Sequence, residues 1–414
     1  MDDPTVSVVV VSRDRGPSLE LTLVGLARQL HDNYEIVVVA DAAGLDAVRR
    51  QKLGREIKTV PFADPNISLA RNLGTAVAAG EVVAFIDDDA VPEPTWLRHL
   101  TAPFSEPDVA AAGGFVIGRN GISFQWKAHS VDHTGQARPL DVDPARATAL
   151  TPPPGRAVKT EGTNMAFRRS VLAQLGGFDP AYRFYLDDTD LNMRLARARH
   201  VTAVVPMAQV HHSFAPSSRR HASRAPRDLF EIGASLSVFL RRHCPEDARE
   251  KAVTDFVAGR DRALISHMVA GRLEPRDLRR LRARLAAGIE AGRSRTLYPL
   301  PGLPHSSEPF LPFRTRATGQ SITLAGRPLS RRRLRAQAAA RAAGGATVSL
   351  FILSPTALFH RVRMTRDGVW EQTGGIWGRA RRDEPLVRAT SFRRRLAQEI
   401  ARIAALRQHK TPSN

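Results

Sequence analysis

The 414-residue chain has a single cysteine, Cys244. No disulfide framework and no cysteine-based zinc site can form within it, which suits a reducing compartment. Long apolar runs are also missing. The longest, such as residues 347–353, are strand-sized and fall far short of the ~20 residues of a membrane span. The opening Met1-Asp2-Asp3-Pro4 lacks the basic-then-apolar layout of a secretory signal. These absences lead to the expectation of a cytoplasmic protein. Aromatic residues make up only 6% of the chain. Few of them lie between the arginines of the second half, which weighs against a surface that stacks nucleic-acid bases.

What is present is arginine, unevenly placed. Up to residue 214 the chain carries 22 Lys and Arg against 25 Asp and Glu; beyond it the count is 39 against 16, and the whole chain is +20. An acidic half followed by a basic half implies two jobs. The basic half fits an anionic membrane surface, a polyanionic substrate or nucleic acid. It also fits plain solvated helix faces, because much of the arginine is spread along helical patterns. At this length the chain should hold two or three units.

The chain is organised around Val82-Val83-Ala84-Phe85-Ile86-Asp87-Asp88-Asp89-Ala90. Five apolar residues suit a strand buried on both faces of a parallel sheet. The three carboxylates then sit at its carboxyl end, where open α/β sheets bind ligands. Alone, such a run is a solvated acidic turn; with a ligand, it is a place where a hard divalent cation offsets the repulsion. Apolar stretches at 5–11, 34–40 and 56–62, separated by helical patterns such as 67–79, extend this to β-α-β-α-β-α-β. That is a parallel sheet with helices on both faces. A strand is expected at 109–117, and an elaborated polar loop at 119–156, with His129 and His133 as ordinary loop histidines. A second acidic cluster, Asp187-Asp188-Thr189-Asp190, opens a strongly helical stretch. One Asp suffices to cap a helix, so three in four residues is an excess. A strand-like run at 201–210 ends at His211-His212.

Taken in order, these pieces resemble the GT-A glycosyltransferases, in particular the inverting family 2. The resemblance rests on Ser12-Arg13-Asp14-Arg15, Asp41, Ala70-Arg71-Asn72-Leu73-Gly74, Asp87-Asp88-Asp89, Gly162-Thr163-Asn164, Gly176-Gly177-Phe178-Asp179, Asp187-Asp188-Thr189-Asp190-Leu191 and a late strand-end histidine. It covers about half the chain and none of the basic half. It implies a Rossmann-like, mostly parallel sheet with flanking helices, and transfer of a sugar from a nucleoside-diphosphate sugar to a glycan or lipid-linked acceptor hydroxyl, in cell-surface or exopolysaccharide synthesis. It implies Mg²⁺ or Mn²⁺ on Asp89, with His212 (or His211) as a further ligand; Pro206 lies six residues before His212, the spacing the family shows. It implies Asp188 as the base that takes the acceptor proton, and Asp187 as the residue that orients loop or acceptor. Ser12, Arg15 and Asp41 would line the nucleoside pocket, Arg71 would reach the base or diphosphate, Asp87 the ribose or metal-bound water, and Asp88 the donor more weakly. Gly162, Thr163 and Asn164 would lie under the sugars; Asp190 would cap and pack locally. Trp96 and Trp126 are candidates to stack on sugars, with core packing the better use of Trp96. Two positions depart from the family pattern: Ala40 stands where a first acidic residue usually precedes Asp41, and Asp187 stands where Glu is usual.

The expected organisation is a catalytic domain at 1–215, a helical extension at 216–295, and a basic region at 296–414 with a Pro-rich arm, small β elements and a terminal amphipathic helix. That helix would lie on an anionic membrane as a peripheral contact or cap the domain. Two other readings are weaker. A sugar-nucleotide nucleotidyltransferase should carry a Gly-rich phosphate loop, and residues 12–16 are too short for one. A nucleic-acid-binding protein would account for the basic half but not for the ordered acidic clusters.

Overall fold

A computed structural model describes residues 4–213, 215–306 and 308–408; the three residues that open the chain lie outside them. The first part holds β1 (Val6–Ser12), α1 (Gly16–Leu26), β2 (Tyr34–Ala40), α2 (Ala42–Arg50), β3 (Lys58–Pro61), α3 (Ile67–Val77), β4 (Val82–Asp87), β5 (Ala90–Pro92), α4 (Trp96–Thr101) and β6 (Val109–Ile117). Then come β7 (Phe124–Trp126), β8 (His129–Asp132), β9 (Ala137–Pro139), β10 (Thr148–Leu150), β11 (Arg156–Lys159), β12 (Asn164–Arg168), α5 (Arg169–Gln174), α6 (Asp187–Arg197) and β13 (Val201–His212). The main sheet runs β10-β13-β6-β12-β4-β1-β2-β3. β1 through β4 pair in parallel, β12 runs antiparallel between β4 and β6, and β13 is parallel to β6.

Alternation along the strands explains the two-sided core. Val8, Val10, Ile36, Val38 and Ile86 face α1, α2 and α4 through Leu19, Leu23, Ala47 and Trp96. Val9, Val37, Val39 and Phe85 face α3, α5 and α6 through Ala70, Leu172 and Leu191. The α/β fold class expected from the sequence is the one observed.

Residues 119–156 are not a loop. β7 adds to β6, β10 edges β13, and β8 pairs with β9 and β11 in a separate three-stranded sheet. These strands are three or four residues long, too short for an apolar alternation to mark them. A small apolar cluster of Phe124, Ala128, Leu150 and Val158 holds them together with side-chain links. Asp132 accepts from Thr134, Gln136 and Arg156, the last at 3.0 Å.

Three helices follow: α7 (Phe230–His243), α8 (Glu246–Val269) and α9 (Pro275–Ser294). α7 and α9 meet at Gly233, Gly288 and Gly292, where an added Cβ would lie 2.0–2.4 Å from a carbonyl oxygen of the facing helix. α7 also packs Leu236, Phe239 and Leu240 behind the acidic helix α6, against Tyr182 and Leu186. The arm beyond wraps the first unit: Phe313 N–H donates to Tyr34 O and Arg316 N–H to Ala27 O.

The last unit is a four-stranded sheet, β14 (Ser321–Gly326), β15 (Thr347–Ser354), β16 (Arg361–Met364) and β17 (Val369–Gly375), in the order β14-β15-β17-β16. It has α10 (Arg331–Ala343) on one face and α11 (Phe392–Arg407) on the other. α11 caps this sheet: Arg395, Glu399, Ile403, Leu406 and Arg407 are all buried.

Three buried histidines should each withdraw stability in acid. Burial pulls His211, His243 and His360 below their ordinary value of 6.5, against the opposing pull of Glu93, Asp190 and Glu399. A histidine whose folded value is lowered binds its proton more readily when unfolded. Stability is therefore full above pH 6.5 and falls as pH drops toward the lowered folded values, by up to about 1.4 kcal/mol per pH unit for each histidine. The carboxyls of Asp88 and Asp187, which burial raises, take up protons more readily in the folded state over the same window and oppose this. The decline is therefore read as the difference between wild type and His243→Gln in melting curves stepped down from neutral pH.

Candidate active site

β4 delivers the first acidic cluster. Asp87 is its last residue, and Asp88 and Asp89 turn the chain into β5. β5 runs antiparallel to β13 with His212 opposite Ala90, which sets His212 beside Asp89 (Nε2 to Oδ1 3.2 Å). Ser213 N–H donates to Asp89 O and Ala215 N–H to the Asp89 carboxylate. Arg15, from the turn after β1, reaches Asp88 at 3.0 Å and Asp89 at 3.2 Å. Ser12 Oγ donates to Asp88 at 2.7 Å. Burial raises Asp88, and the neighbouring Asp89 and Asp87 add to this against Arg15 and Ser12, so its carboxyl is pushed up to about 7. Asp89 goes the other way. Burial disfavours its charge, but His212, Arg15 and the Ala215 N–H outweigh burial and hold it well below the usual range.

α6 delivers the second cluster. Tyr185 and Leu186, which precede it, are both in the left-handed backbone region, at φ 75° and 64°. Such strain in side-chain-bearing residues collects at functional sites. It turns the first helical residues, Asp187 and Asp188, into the same cavity as Asp87. Asp188 accepts from Gly162 N–H at 2.8 Å and from Thr189 N–H and Oγ1. Burial opposes its ionisation, but Lys159, the Gly162 N–H and Arg71 prevail and hold it below the ordinary value. Asp187 is raised by burial, to about 6, against the pull of Arg71. Arg71 ties the clusters together. It contacts Asp187, donates to Gly162 O at 3.1 Å and lies 3.6 Å from Asp87, over the rings of Phe85 and Phe178.

Both clusters open on one cavity of about 1030 Å³. Of the expected site residues, Ser12, Arg15, Arg71, Asp87, Asp88, Asp89, Gly162, Thr163, Asp187, Asp188 and His212 line it. Three others sit elsewhere. Asn164 is fully buried. Its amide donates to Phe115 O and Ala208 O and accepts from Trp96 Nε1, so it pins the bulge in β13 rather than facing a sugar. Asp41 caps α2 by accepting from Gly44 N–H and holds the Asp14 N–H. His211 points to the opposite side of its strand, where Nε2 meets Glu93 at 2.7 Å under Trp370. Arg71 lines the cavity, with its guanidinium against two carboxylates and a carbonyl. Trp96 is core, as expected; Trp126 lines the cavity and stacks on His212 at 5.9 Å.

Sequence reasoning missed Lys159, which is paired with Glu161 at 2.5 Å beside Asp188. It also missed Arg219, Arg220, Arg224 and Arg227, which follow β13 and line the cavity. The signal was there: arginines crowding immediately after the strand-end histidines.

Asp87, Asp89 and His212 bring a ligand atom each within 4.8 Å of one another. Two carboxylates and one imidazole suit a divalent ion of the Mg²⁺ or Mn²⁺ kind. His212 Nδ1 lies 3.2 Å from Gln125 Oε1. The tautomer that donates there turns the Nε2 lone pair toward the carboxylates, the arrangement a cation requires. The residues fit the metal.

Residues 4–230, more than half the chain, match the sequence model described as "Glycosyltransferase like family 2". The chain belongs to glycosyltransferase family 2. Among its relatives, a glucosyl-dolichyl phosphate glucuronosyltransferase of Haloferax volcanii is 31% identical over 190 residues, covering 42% of this chain and 56% of that protein. A pre-mycofactocin glycosyltransferase of Mycobacterium tuberculosis is 26% identical over 214 residues, 50% of this chain and 42% of that one. The family 2 match thus spans about half the length of these curated relatives. A solved mannosyltransferase from Pyrobaculum calidifontis, in complex with GDP-Man and Mn²⁺, is a distant likeness. Its TM-score is 0.43 at 17% identity, covering 70% of this chain and 88% of that one.

Proposed function

We propose that the chain is a divalent-metal-dependent, inverting glycosyltransferase that moves a sugar from a nucleoside-diphosphate sugar to an acceptor hydroxyl. The observation that carries this reading is the pairing, across one cavity, of a cation-type donor set (Asp87, Asp89, His212) with an ionised carboxylate (Asp188). Bound at the first, a divalent cation would stabilise the charge that grows on the leaving diphosphate. Asp188 holds the place of the base: it accepts the hydroxyl proton as the acceptor oxygen bonds to the anomeric carbon. The bond from that carbon to the diphosphate breaks, and its electron pair leaves with the diphosphate. Approach from the face opposite the departing group inverts the centre. Arg15, Arg219 and Arg220 add positive charge on the diphosphate side. Arg71 and Asp187 set the distance between the two clusters. We place residues 4–213 as the catalytic unit, the three helices as its buttress, and the last sheet as a docked accessory domain. The acceptor would be a glycan or a lipid-linked sugar. Among the described residues no helix is long and apolar enough to cross a membrane.

The test is a panel of sugar nucleotides assayed for release of nucleoside diphosphate with Mn²⁺, with Mg²⁺ and with EDTA. One donor should turn over only with metal. Asp89→Asn keeps the shape but removes a charged ligand, and should weaken metal-dependent donor binding by about 100-fold or more. If no sugar nucleotide bound in the presence of either metal, the reading would fail.

A further inference from the structure

A second cavity, of about 590 Å³, lies between the first unit and the last sheet. Six arginines line it: Arg119, Arg224, Arg361, Arg379, Arg381 and Arg382. No carboxylate is among the described residues of its lining. Arg381 is paired with Asp383 just outside, at 2.5 Å, and Arg119 donates to Ala222 O. The crowding is felt at Arg224, which burial and then Arg119, Arg220, Arg382 and Arg272 pull below its ordinary value. Arg224 also takes a left-handed backbone, at φ 71°. Six arginines on the walls of one cavity, with no carboxylate among the described lining residues, suit an anion, and forked N–H donors match phosphate oxygens in particular.

Two further observations say what kind of phosphate. The first is position. Arg224 lines both this cavity and the catalytic one. Gln125, on its wall, holds His212 Nδ1 at 3.2 Å, so the anion would sit one side chain away from the metal ligands. The second is the rim. Leu358, Phe359, Trp377, Leu386 and Val387 are 40–64% exposed, and they are half of the exposed large apolar residues described. They are one patch. Phe359 lies under Arg379, Gly378 is tight against Leu358 O, and Gly378 bridges to Val387. An arginine-lined hole bordered by bare apolar surface is complementary to a phosphate that carries a hydrocarbon chain.

We infer that this cavity seats the phosphate or diphosphate of an amphiphilic acceptor, with its chain lying over the Phe359–Trp377 patch and its sugar reaching the catalytic cavity. The inference rests on the transferase reading and names its acceptor class.

The test is binding of farnesyl phosphate to the full chain in EDTA, where the metal-dependent donor site is silent. Inorganic phosphate, farnesol and phosphatidylcholine vesicles containing phosphatidylglycerol run beside it. Farnesyl phosphate should bind at least about tenfold more tightly than either half-molecule, and Arg361→Glu with Arg382→Glu should weaken it by about tenfold per substitution. Both residues are exposed, and retained nucleoside-diphosphate binding with Mn²⁺ shows that the variant is folded. Equal binding of inorganic phosphate or farnesol would overturn the inference. So would variants that still bind farnesyl phosphate as wild type does, or vesicle binding that farnesyl phosphate does not displace. Failure of the transferase reading shows separately, as loss of donor binding in the wild type.

Discussion

Asp188→Asn should lower sugar transfer by about 10²–10⁴-fold and leave metal-dependent donor binding nearly unchanged. The carboxylate is already placed for one task. Gly162 N–H and the Thr189 backbone and hydroxyl orient it, and Lys159 with Arg71 keeps it charged despite its burial. An asparagine keeps the volume but cannot take a proton. Asp187→Asn should behave differently. It removes the partner of buried Arg71 and leaves that cation facing Asp87 at 3.6 Å, so donor affinity and turnover should change together. The two variants therefore separate by the split between KM for the donor and kcat. The pH profile adds a check. Because Asp188 lies below the ordinary carboxylate value of 3.8, kcat/KM should show no acid limb from it near neutrality. Transfer by Asp188→Asn within tenfold of wild type would move the base elsewhere.

The legible parts of this protein were those where one residue type has one physical meaning. Strands buried on both faces, such as Val82–Asp87, read as unbroken β-branched and apolar runs, and they placed the acidic turn at the sheet's carboxyl edge before any coordinates. Arg366-Asp367-Gly368 between apolar flanks is a hairpin signal, and it is the turn between β16 and β17, with Gly368 at φ 78°. The short strands of 119–156 were not legible, because their pairing is fixed by distant backbone partners and by links such as Asp132 to Arg156. Side-chain direction was not legible either. His211 and His212 are adjacent on one strand and must point to opposite faces, yet only the pairing of β13 with β5 decides which one meets Asp89. Asp41, Asn164 and Arg71 have the residue types a nucleotide site needs, and the fold also gives each of them partners within the protein that no spacing in the sequence announces. The basic half was legible only in part, for a related reason. Many of its arginines are internal partners, as in Arg335 and Arg363 with Glu371, Arg395 and Arg402 with Glu399, and Arg284 with Asp228.

Arg407 is the strongest of these internal partners, and Arg407→Ala should cost about 3–5 kcal/mol, the range for leaving one member of a buried pair alone. Its guanidinium forks onto Glu93, with both hydrogen bonds at 2.8 Å, donates to Ser349 Oγ and lies 4.3 Å over the Trp370 ring. Glu93 is 1% exposed. Burial opposes its charge, and Arg407 followed by His211 holds it well below the usual range. The pair thus joins α11 to the strand that follows the acidic turn, and through His211 to the strand that ends in His212. Losing Arg407 leaves an uncompensated buried carboxylate that shifts β5 and β13, the strands that set His212 beside Asp89. That shift should lower Mn²⁺ affinity together with the melting temperature, against the attraction of the added negative charge. The double variant Glu93→Gln with Arg407→Met removes both charges. It should recover much of the stability, as expected when a whole buried pair is replaced rather than broken. Recovery of Mn²⁺ affinity alongside it would show that the buried charge, and not the missing side chain, disturbs the strand. Recovery of stability without Mn²⁺ affinity would show instead that His212 is aimed through the hydrogen bond that His211 donates to Glu93. Either result turns on three residues, Glu93, His211 and Arg407, that no spacing in the sequence brings together.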